Sequence, residues 1–154
     1  MTVDLDVAQR ACAHDLSLGA RLDPDGGTVF RLWAPAQDRV SIAIEGGETV
    51  EMTRGASGMF EGRAGCGAGT GYRYRLGSGE LVPDPASRAQ LHDVHGPSLV
   101  VDPARYVWKH KDWRGRPWEE TVLYELHAGS CGGFGGVAEK LPRLAALGFT
   151  AVEL

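Results

Sequence analysis

The sequence predicts an all-β sandwich followed by the first strand–helix–strand unit of a parallel α/β domain. Between Thr28 and Leu76, short segments alternate apolar with polar residues, and glycine-rich turns separate them at intervals of roughly 8–12 residues. From Thr121 onwards the pattern changes to an apolar strand, a glycine-rich stretch, a helix and another strand. The first pattern is typical of a β-sandwich and the second of a parallel α/β domain. The 154 residues suffice for one domain and part of a second.

The sandwich elements follow from turn residues and from alternation. The run Asp23–Gly27 is a strong turn signal. Strands are predicted after it at Thr28–Trp33, Val40–Ile44, Thr49–Met52, Met59–Arg63 and Tyr72–Leu76. Because successive strand residues face opposite sides, Tyr72 and Tyr74 are expected to point into the core, and Arg73 and Arg75 into solvent.

The segments that follow are irregular in composition. Pro83–Pro103 is rich in Pro, Asp, His and Ser, which disfavours long strands. Residues 104–118 combine four aromatic residues with six Lys, Arg and His residues, which suggests a linker. Its tryptophans, Trp108, Trp113 and Trp118, either stack on sugar rings or pack onto a neighbouring surface, and packing is the more common role of aromatic residues.

The second half begins and ends with predicted strands. Thr121–His127 carries apolar residues on both faces, which is typical of a buried parallel strand. Thr150–Leu154 is predicted as the next strand. A strand needs neighbours on its edges, and no polar tail follows this one. We therefore expect the chain to be the front part of a larger protein.

A loop and a helix are predicted between these strands. The glycine-rich run Gly129–Gly136 reads as a loop. Leucines then recur at helical spacing from Leu141 to Leu147. Pro142 is compatible with a helix that begins close to it or kinks there. Gly148 is a suitable residue for the C-terminal end of that helix.

Composition and charge exclude several classes of partner. The net charge is -4 and the pI is about 5.7, and no basic cluster occurs, so neither a nucleic acid nor an anionic membrane is an expected partner. No run of about 18 apolar residues is long enough to span a membrane. The acidic start Met1–Asp6 lacks the apolar core of a signal peptide, so a cytoplasmic location is expected.

The cysteines, histidines and glycines predict no cofactor, metal site or disulfide. The chain has three widely spaced cysteines, Cys12, Cys66 and Cys131, and no C-x-x-C motif. Only His92 and His95 lie close together, and a metal site needs a third ligand. The run Gly65–Gly71 precedes a strand and lacks the Lys-Ser/Thr of a phosphate loop, so a plain turn is predicted.

Three residues at the end of the predicted strand Thr121–His127 are the candidates for a functional site. In barrels, the carboxyl ends of the strands face the active site. Tyr124, Glu125 and His127 are therefore candidates for its substrate side. The alternative is that Glu125 and His127 pair with neighbouring residues and only support the site.

Five segments carry a resemblance to a known family. They are Phe30–Pro35, Tyr72–Leu76, Val82–Gln90, Val94–Ser98 and Leu123–His127. With Leu147–Leu154 added, their order and spacing resemble the malto-oligosyltrehalose trehalohydrolase family of the α-amylase superfamily. The resemblance covers about residues 17–154. Its most specific part is Pro83–Arg88 followed by Val94–Ser98, since the other segments occur widely in branching and debranching enzymes.

The resemblance implies a domain organisation and an activity. After an N-terminal segment, residues 1–14, it implies an immunoglobulin-like β-sandwich over residues 15–107. A linker over residues 108–120 then leads to the truncated start of a (β/α)8 barrel, residues 121–154. The implied activity is that of a glycosidase of trehalose biosynthesis. It hydrolyses the α-1,4 bond next to the terminal trehalose of maltooligosyl trehalose, or of a related α-glucan, and releases trehalose.

The resemblance also says where the catalytic residues belong. Family members are retaining enzymes with an aspartate nucleophile, a glutamate acid/base and a third carboxylate, all on later barrel strands and therefore beyond Leu154. No catalytic residue is assigned here, and the chain is expected to be inactive without the missing C-terminal barrel portion. Gly129–Gly136 departs from the family, which typically has Gly-Thr-Phe-Thr, a few residues and Gly-Thr-Phe on the catalytic face.

Two other functions compete with this one. The chain could be an N-terminal fragment of a glycogen branching or debranching enzyme, from which only the region Pro83–Ser98 separates it. It could also be a stand-alone carbohydrate-binding module. The predicted strand–helix–strand unit argues against the module, because a free module would not need it.

Overall fold

The computed structural model describes residues 17–110 and 112–154, and the chain divides into two units, Met1–Val107 and Trp108–Leu154. The predicted N-terminal segment, residues 1–14, lies outside the described residues and includes Cys12. The boundaries predicted for the sandwich, the linker and the barrel start stay predictions.

The described part of the first unit consists mainly of two antiparallel sheets. Its strands are β1 (Gly19–Leu22), β2 (Thr28–Trp33), β3 (Val40–Ile44), β4 (Thr49–Glu51), β5 (Thr53–Arg54), β6 (Met59–Ala64), β7 (Gly71–Leu76), β8 (Leu81–Val82) and β9 (Ser98–Leu99). The first sheet has the order β1-β2-β6-β5 and the second β4-β3-β7-β8, with β9 also paired to β7. The five strands predicted from alternation are all present, and none of their boundaries differs by more than one residue.

The alternating apolar residues of both sheets form one core. Phe30, Leu32 and Phe60 come from the first sheet, and Ile42, Tyr72 and Tyr74 from the second. The rings of Phe30 and Tyr72 meet edge to face with their centroids 4.8 Å apart, which joins the two sheets. The predicted facing of β7 is confirmed, because Tyr72 and Tyr74 are buried while Arg73 is half-buried and Arg75 is exposed.

The irregular segments behave as their composition predicts. Between β8 and the end of the first unit the only strand in the described residues is the short β9. The run Gly65–Gly71 turns the chain from β6 into β7, and the Gly69 amide donates to the Val100 carbonyl at 2.8 Å. The prediction of a turn at this run is therefore confirmed.

The second unit contains the predicted strand–helix–strand arrangement. Strand β10 (Leu123–Glu125) is followed by a 3₁₀ turn (Ala128–Cys131), helix α1 (Gly133–Ala146) and strand β11 (Ala151–Glu153). The two strands pair in parallel. Gly148 follows the helix with φ +95°, a conformation that glycine adopts without steric cost, so its predicted role is confirmed. In the described ranges no helix combines the length and apolarity needed to cross a membrane.

The burial predicted for the first of these strands is wrong. Leu123 is 47% exposed, and Tyr124 and Glu125 are exposed as well. In the described part of the chain β10 has a single neighbouring strand, β11. Its other edge and much of its side-chain surface therefore remain in contact with solvent.

The loop predicted at Gly129–Gly136 is also wrong, because most of it is helical. Residues from Ala128 form the 3₁₀ turn, and α1 begins at Gly133. Buried Val137 and half-buried Leu144 lie on one side of this helix at a spacing of seven residues, which outweighs the low helix propensity of the glycines. Pro142 lies inside the helix. It is tolerated there because exposed Ala138, whose carbonyl loses its amide donor, is open to solvent.

Candidate functional site at the ends of the parallel strands

The register of β10 and β11 places two glutamates opposite each other. Glu125 is the register partner of Glu153, and the Leu126 amide donates to the Glu153 carbonyl at 3.0 Å. Register partners on neighbouring strands project to the same face of a sheet and lie about 4.8 Å apart. Sequence reasoning singled out Glu125 but missed Glu153, although both lie near the end of a predicted parallel strand.

Tyr124 lies on the opposite face from Glu125. Its ring meets Phe149 edge to face, with centroids 4.9 Å apart. Both rings line a groove of about 400 Å³ together with residues of α1, among them Lys140 and Arg143. The structure therefore places Tyr124 on one face of the sheet, and Glu125 and Glu153 on the other.

His127 shares the strand face of Glu125, two residues further along. It is exposed and precedes the 3₁₀ turn Ala128–Cys131, where its carbonyl accepts from the Ser130 amide at 3.0 Å. The substrate-side role of Tyr124, Glu125 and His127 stays a prediction.

The carboxylate pair has no environment that would give its members different roles. A glycosidase needs one protonated and one ionised carboxyl group, and enzymes achieve this by placing the two in unlike surroundings. Glu125 and Glu153 are both exposed. Over residues 17–110 and 112–154, no three His, Cys, Asp or Glu side chains converge to hold a metal ion. Chemically, the pair can accept hydrogen bonds from hydroxyl groups.

A second polar cluster is buried in the first unit. Asp84 is 3% exposed, and its Oδ2 accepts from the hydroxyls of Tyr72 at 2.6 Å and Tyr74 at 3.2 Å. Its Oδ1 accepts from the Ala86 amide at 2.8 Å, and its own amide donates to the Ser98 Oγ at 3.0 Å. We call Asp84, Tyr72, Tyr74 and Ser98 the Asp84 cluster. A buried carboxylate is stable only when it is hydrogen-bonded in this way.

The environment of the cluster raises the pKa of its two tyrosines. Burial raises the pKa of both Tyr72 and Tyr74 well above the usual value, and the nearby negative charge of Asp84 raises it further. The Arg88 cation opposes this effect at Tyr72. The arrangement keeps both hydroxyls protonated as donors, which suits a structural role for the cluster.

Comparisons with known proteins reveal relatives that match most of the chain. No protein-family model matches it. It is 40% identical over 143 residues to a malto-oligosyltrehalose trehalohydrolase from Saccharolobus solfataricus, a match that covers 90% of this chain and 25% of the relative. This chain is a homologue of malto-oligosyltrehalose trehalohydrolases. The resemblance read from its motifs is thereby confirmed, and the chain spans about a quarter of the length of the trehalohydrolases that it matches.

Two further similarities set the breadth of the relationship. A crystal structure of a candidate alpha amylase from Salmonella typhimurium superposes with a TM-score of 0.81 at 44% identity, over 88% of this chain and 24% of that one. A 1,4-alpha-glucan branching enzyme from Ralstonia nicotianae is 34% identical over 164 residues, which covers 87% of this chain and 21% of the enzyme. The homologues are thus α-amylase family enzymes. They include a branching enzyme as well as trehalohydrolases.

The two segments that carry the most specific part of the resemblance include two members of the Asp84 cluster. Pro83–Arg88 contains Asp84 and also Arg88, whose guanidinium donates to the Ala20 carbonyl in β1. The second part, Val94–Ser98, ends at Ser98, which holds the Asp84 amide. Sequence reasoning used this segment to identify the relatives and missed what it does in the fold.

Proposed function

We propose that the chain is the N-terminal part of a glycoside hydrolase of trehalose biosynthesis. The whole enzyme cleaves the α-1,4 bond next to the terminal trehalose of maltooligosyl trehalose and releases trehalose. Its substrate is that oligosaccharide or a related α-glucan. Its site of action is the cytoplasm, consistent with Cys66 and Cys131 being free thiols.

One observation carries this proposal, the similarity to trehalohydrolases across both units. A match over 90% of the chain includes the Asp84 cluster and the parallel strand β10, and not the sheets of the first unit alone. In this proposal the two sheets of the first unit form an immunoglobulin-like sandwich over residues 15–107. Residues 108–120 are the linker, and β10, α1 and β11 open a (β/α)8 barrel at residues 121–154.

The isolated chain is proposed to be inactive. A retaining glycosidase needs a nucleophile and a separate acid on one scaffold. Glu125 and Glu153 are both open to solvent, so nothing in the described residues distinguishes an acid from a nucleophile. We propose that Glu125 and His127, with Tyr124 behind them, shape the substrate side of a site completed by the rest of the barrel.

A chimera tests the proposal. The chain replaces the matching quarter of the Saccharolobus solfataricus trehalohydrolase, and trehalose release from maltooligosyl trehalose is measured for the chimera and for the isolated chain. We expect the chimera to release trehalose and the isolated chain to release none. Release by the isolated chain that Glu125→Gln abolishes would contradict the proposed inactivity. A folded chimera without release would contradict the assignment to a trehalohydrolase.

The branching enzyme similarity supports a second candidate function. The same chain would then form the front of an enzyme that transfers α-glucan segments. A parallel chimera with the Ralstonia nicotianae enzyme is assayed on amylose for loss of iodine staining. Branching activity in this chimera together with an inactive trehalohydrolase chimera would favour the second function over the first.

A further inference from the structure

An exposed and irregular stretch of chain runs from the sheets of the first unit to the strands of the second. Every described residue from 103 to 120 is exposed. Between β9 and β10 the described residues form no strand and no α-helix, and the ordered elements there are two 3₁₀ turns, Pro103–Arg105 and Trp118–Glu120. Exposed connections without regular backbone hydrogen bonds are the preferred sites of proteolytic cleavage.

Lys109 lies in the middle of this stretch. The chain has three lysines, Lys109, Lys111 and Lys140. Residues 107–110 belong to no helix, strand or 3₁₀ turn, and all four are exposed, with Val107 at 74%. Among the ion pairs of the described residues none includes Lys109. Its ammonium group and the backbone that follows it are therefore open to solvent.

This backbone meets the main requirement of a protease. A protease binds its substrate as an extended segment through main-chain hydrogen bonds, and its pockets read the side chains. The pocket for the residue before the cleaved bond sets the specificity, and an acidic pocket selects a basic side chain. Residues 107–110 can adopt the extended form without the unwinding of a helix or the loss of a strand pairing.

Lys140 provides an internal comparison, because its side chain is exposed as well. It lies inside α1 (Gly133–Ala146), where backbone amides and carbonyls are joined by the hydrogen bonds of the helix. A protease can therefore bind the backbone around Lys140 only after local unfolding of the helix. The two lysines differ in the state of their backbone and not in the accessibility of their side chains.

Cleavage after Lys109 would leave the first unit whole. The last of its nine described strands ends at Leu99, and its core residues lie between Ala20 and Val100. The Asp84 cluster also precedes Lys109. In the described residues after Lys109 there is a two-stranded sheet with one α-helix, and a sheet of that size is marginally stable on its own.

We propose that the peptide bond between Lys109 and His110 is a processing site, at which a lysine-selective serine protease releases residues 1–109 as a folded fragment. The reaction is hydrolysis. Water adds across the C–N bond, so that the carbonyl carbon of Lys109 becomes part of a carboxylate and the nitrogen of His110 becomes an amino group. The inference is independent of the proposed function, because it rests on the backbone around Lys109.

The test is digestion of the purified chain with a lysine-specific endoproteinase, followed over time by mass spectrometry of the fragments. Lys111→Arg keeps the charge and leaves Lys109 and Lys140 as the lysines. In this variant we expect cleavage after Lys109 to be at least tenfold faster than cleavage after Lys140. Adding Lys109→Arg should abolish the early cleavage. Circular dichroism establishes that each variant is folded. If Lys111→Arg does not fold, the rate at which fragments ending at Lys109 form from the unsubstituted chain decides in its place.

Digestion in urea separates the effect of structure from that of local sequence, and there both bonds should be cleaved at similar rates. Similar rates after Lys109 and Lys140 in the native chain overturn the inference. A tenfold preference for Lys109 that persists in urea also overturns it, because the fold would then not be the cause. The isolated fragment 1–109 should keep a cooperative unfolding transition in urea. A fragment without one overturns its release as a folded unit.

Discussion

Asp84 joins the irregular segment after β8 to the core through its carboxylate. The hydroxyls of Tyr72 and Tyr74 reach it from the inner face of β7, and its backbone amide reaches Ser98 in β9. A segment without long strands has few backbone hydrogen bonds of its own, so these contacts supply its order. A motif that identified the relatives thus has a structural explanation at the level of single atoms.

Removing this carboxylate should destabilise the first unit. Asp84→Ala deletes charge-assisted hydrogen bonds and leaves two buried hydroxyls without their acceptor, which should lower the free energy of unfolding by about 2–4 kcal/mol. Urea unfolding followed by circular dichroism measures the change. Asp38→Ala, at an exposed aspartate, is the control and should change it by about 0.5 kcal/mol or less. A loss below about 1 kcal/mol for Asp84→Ala would contradict the role of the cluster.

The same cluster should make the first unit sensitive to alkali. The folded pKa values of Tyr72 and Tyr74 are raised, so their contribution to stability is complete below the unfolded pKa near 10. It is lost as the pH rises towards the folded values, because the unfolded chain releases protons that the native chain keeps. Two retained protons correspond to a loss of about 2.7 kcal/mol per pH unit above pH 10.

The alkaline slope is measured by urea unfolding at a series of pH values from 9 to about 11. Tyr74→Phe should halve the contribution of the pair to the slope, since one of the two protons is no longer linked to folding. Absorbance of tyrosinate reports the ionisation directly. An unfolding free energy that stays constant above pH 10, or a slope that Tyr74→Phe leaves unchanged, would refute the linkage.

At the scale of elements, two neighbouring glycines at the start of α1 differ in the space around them. Gly135 has open space around it, so Gly135→Ala should stabilise the helix by about 0.8–1 kcal/mol through propensity. A Cβ atom on Gly136 would lie 1.8 Å from the Cys131 carbonyl oxygen, so Gly136→Ala should destabilise the second unit. Thermal unfolding followed at 222 nm compares the two variants. If both variants shifted the unfolding temperature in the same direction, the two glycines would not pack as described.

Gly129–Gly136 also shows how a local signal can mislead. Glycines favour a loop by propensity, but they stand next to Val137, which is buried, and the helix extends backwards over them. In the same way, the apolar residues of β10 indicated burial, although one neighbouring strand covers little of them. Both errors arise where the surroundings of an element, rather than its own residues, decide its state.

At the scale of the whole molecule, the two units should differ in stability. Tyr74 is buried in a strand with neighbours on both sides, whereas Leu123 and Val152 belong to a two-stranded sheet. Two-stranded sheets are marginally stable in water. Amide hydrogen exchange should therefore be slow at Tyr74 and fast at Leu123 and Val152. The measurement is repeated at two protein concentrations to detect self-association, and equal protection at all three amides at both concentrations would refute the difference.

The sequence by itself determined five of the nine strands described in the first unit, the facing of Tyr72 and Tyr74 and the parallel strand–helix–strand order. These features depend on period-two alternation, turn residues and helical spacing, which are local properties of the chain. It also identified the trehalohydrolase relatives, because the motif Pro83–Arg88 is readable without coordinates.

Only the tertiary structure decided the partners of Asp84, the pairing of Glu125 with Glu153 and the exposure of β10. Asp84 and Tyr72 are separated by twelve residues, and Glu125 and Glu153 by most of the second unit. No local pattern specifies which distant side chains meet, because contact depends on strand register and on the turns that set it. Burial likewise depends on how many neighbours an element acquires, and that is a property of the assembled chain.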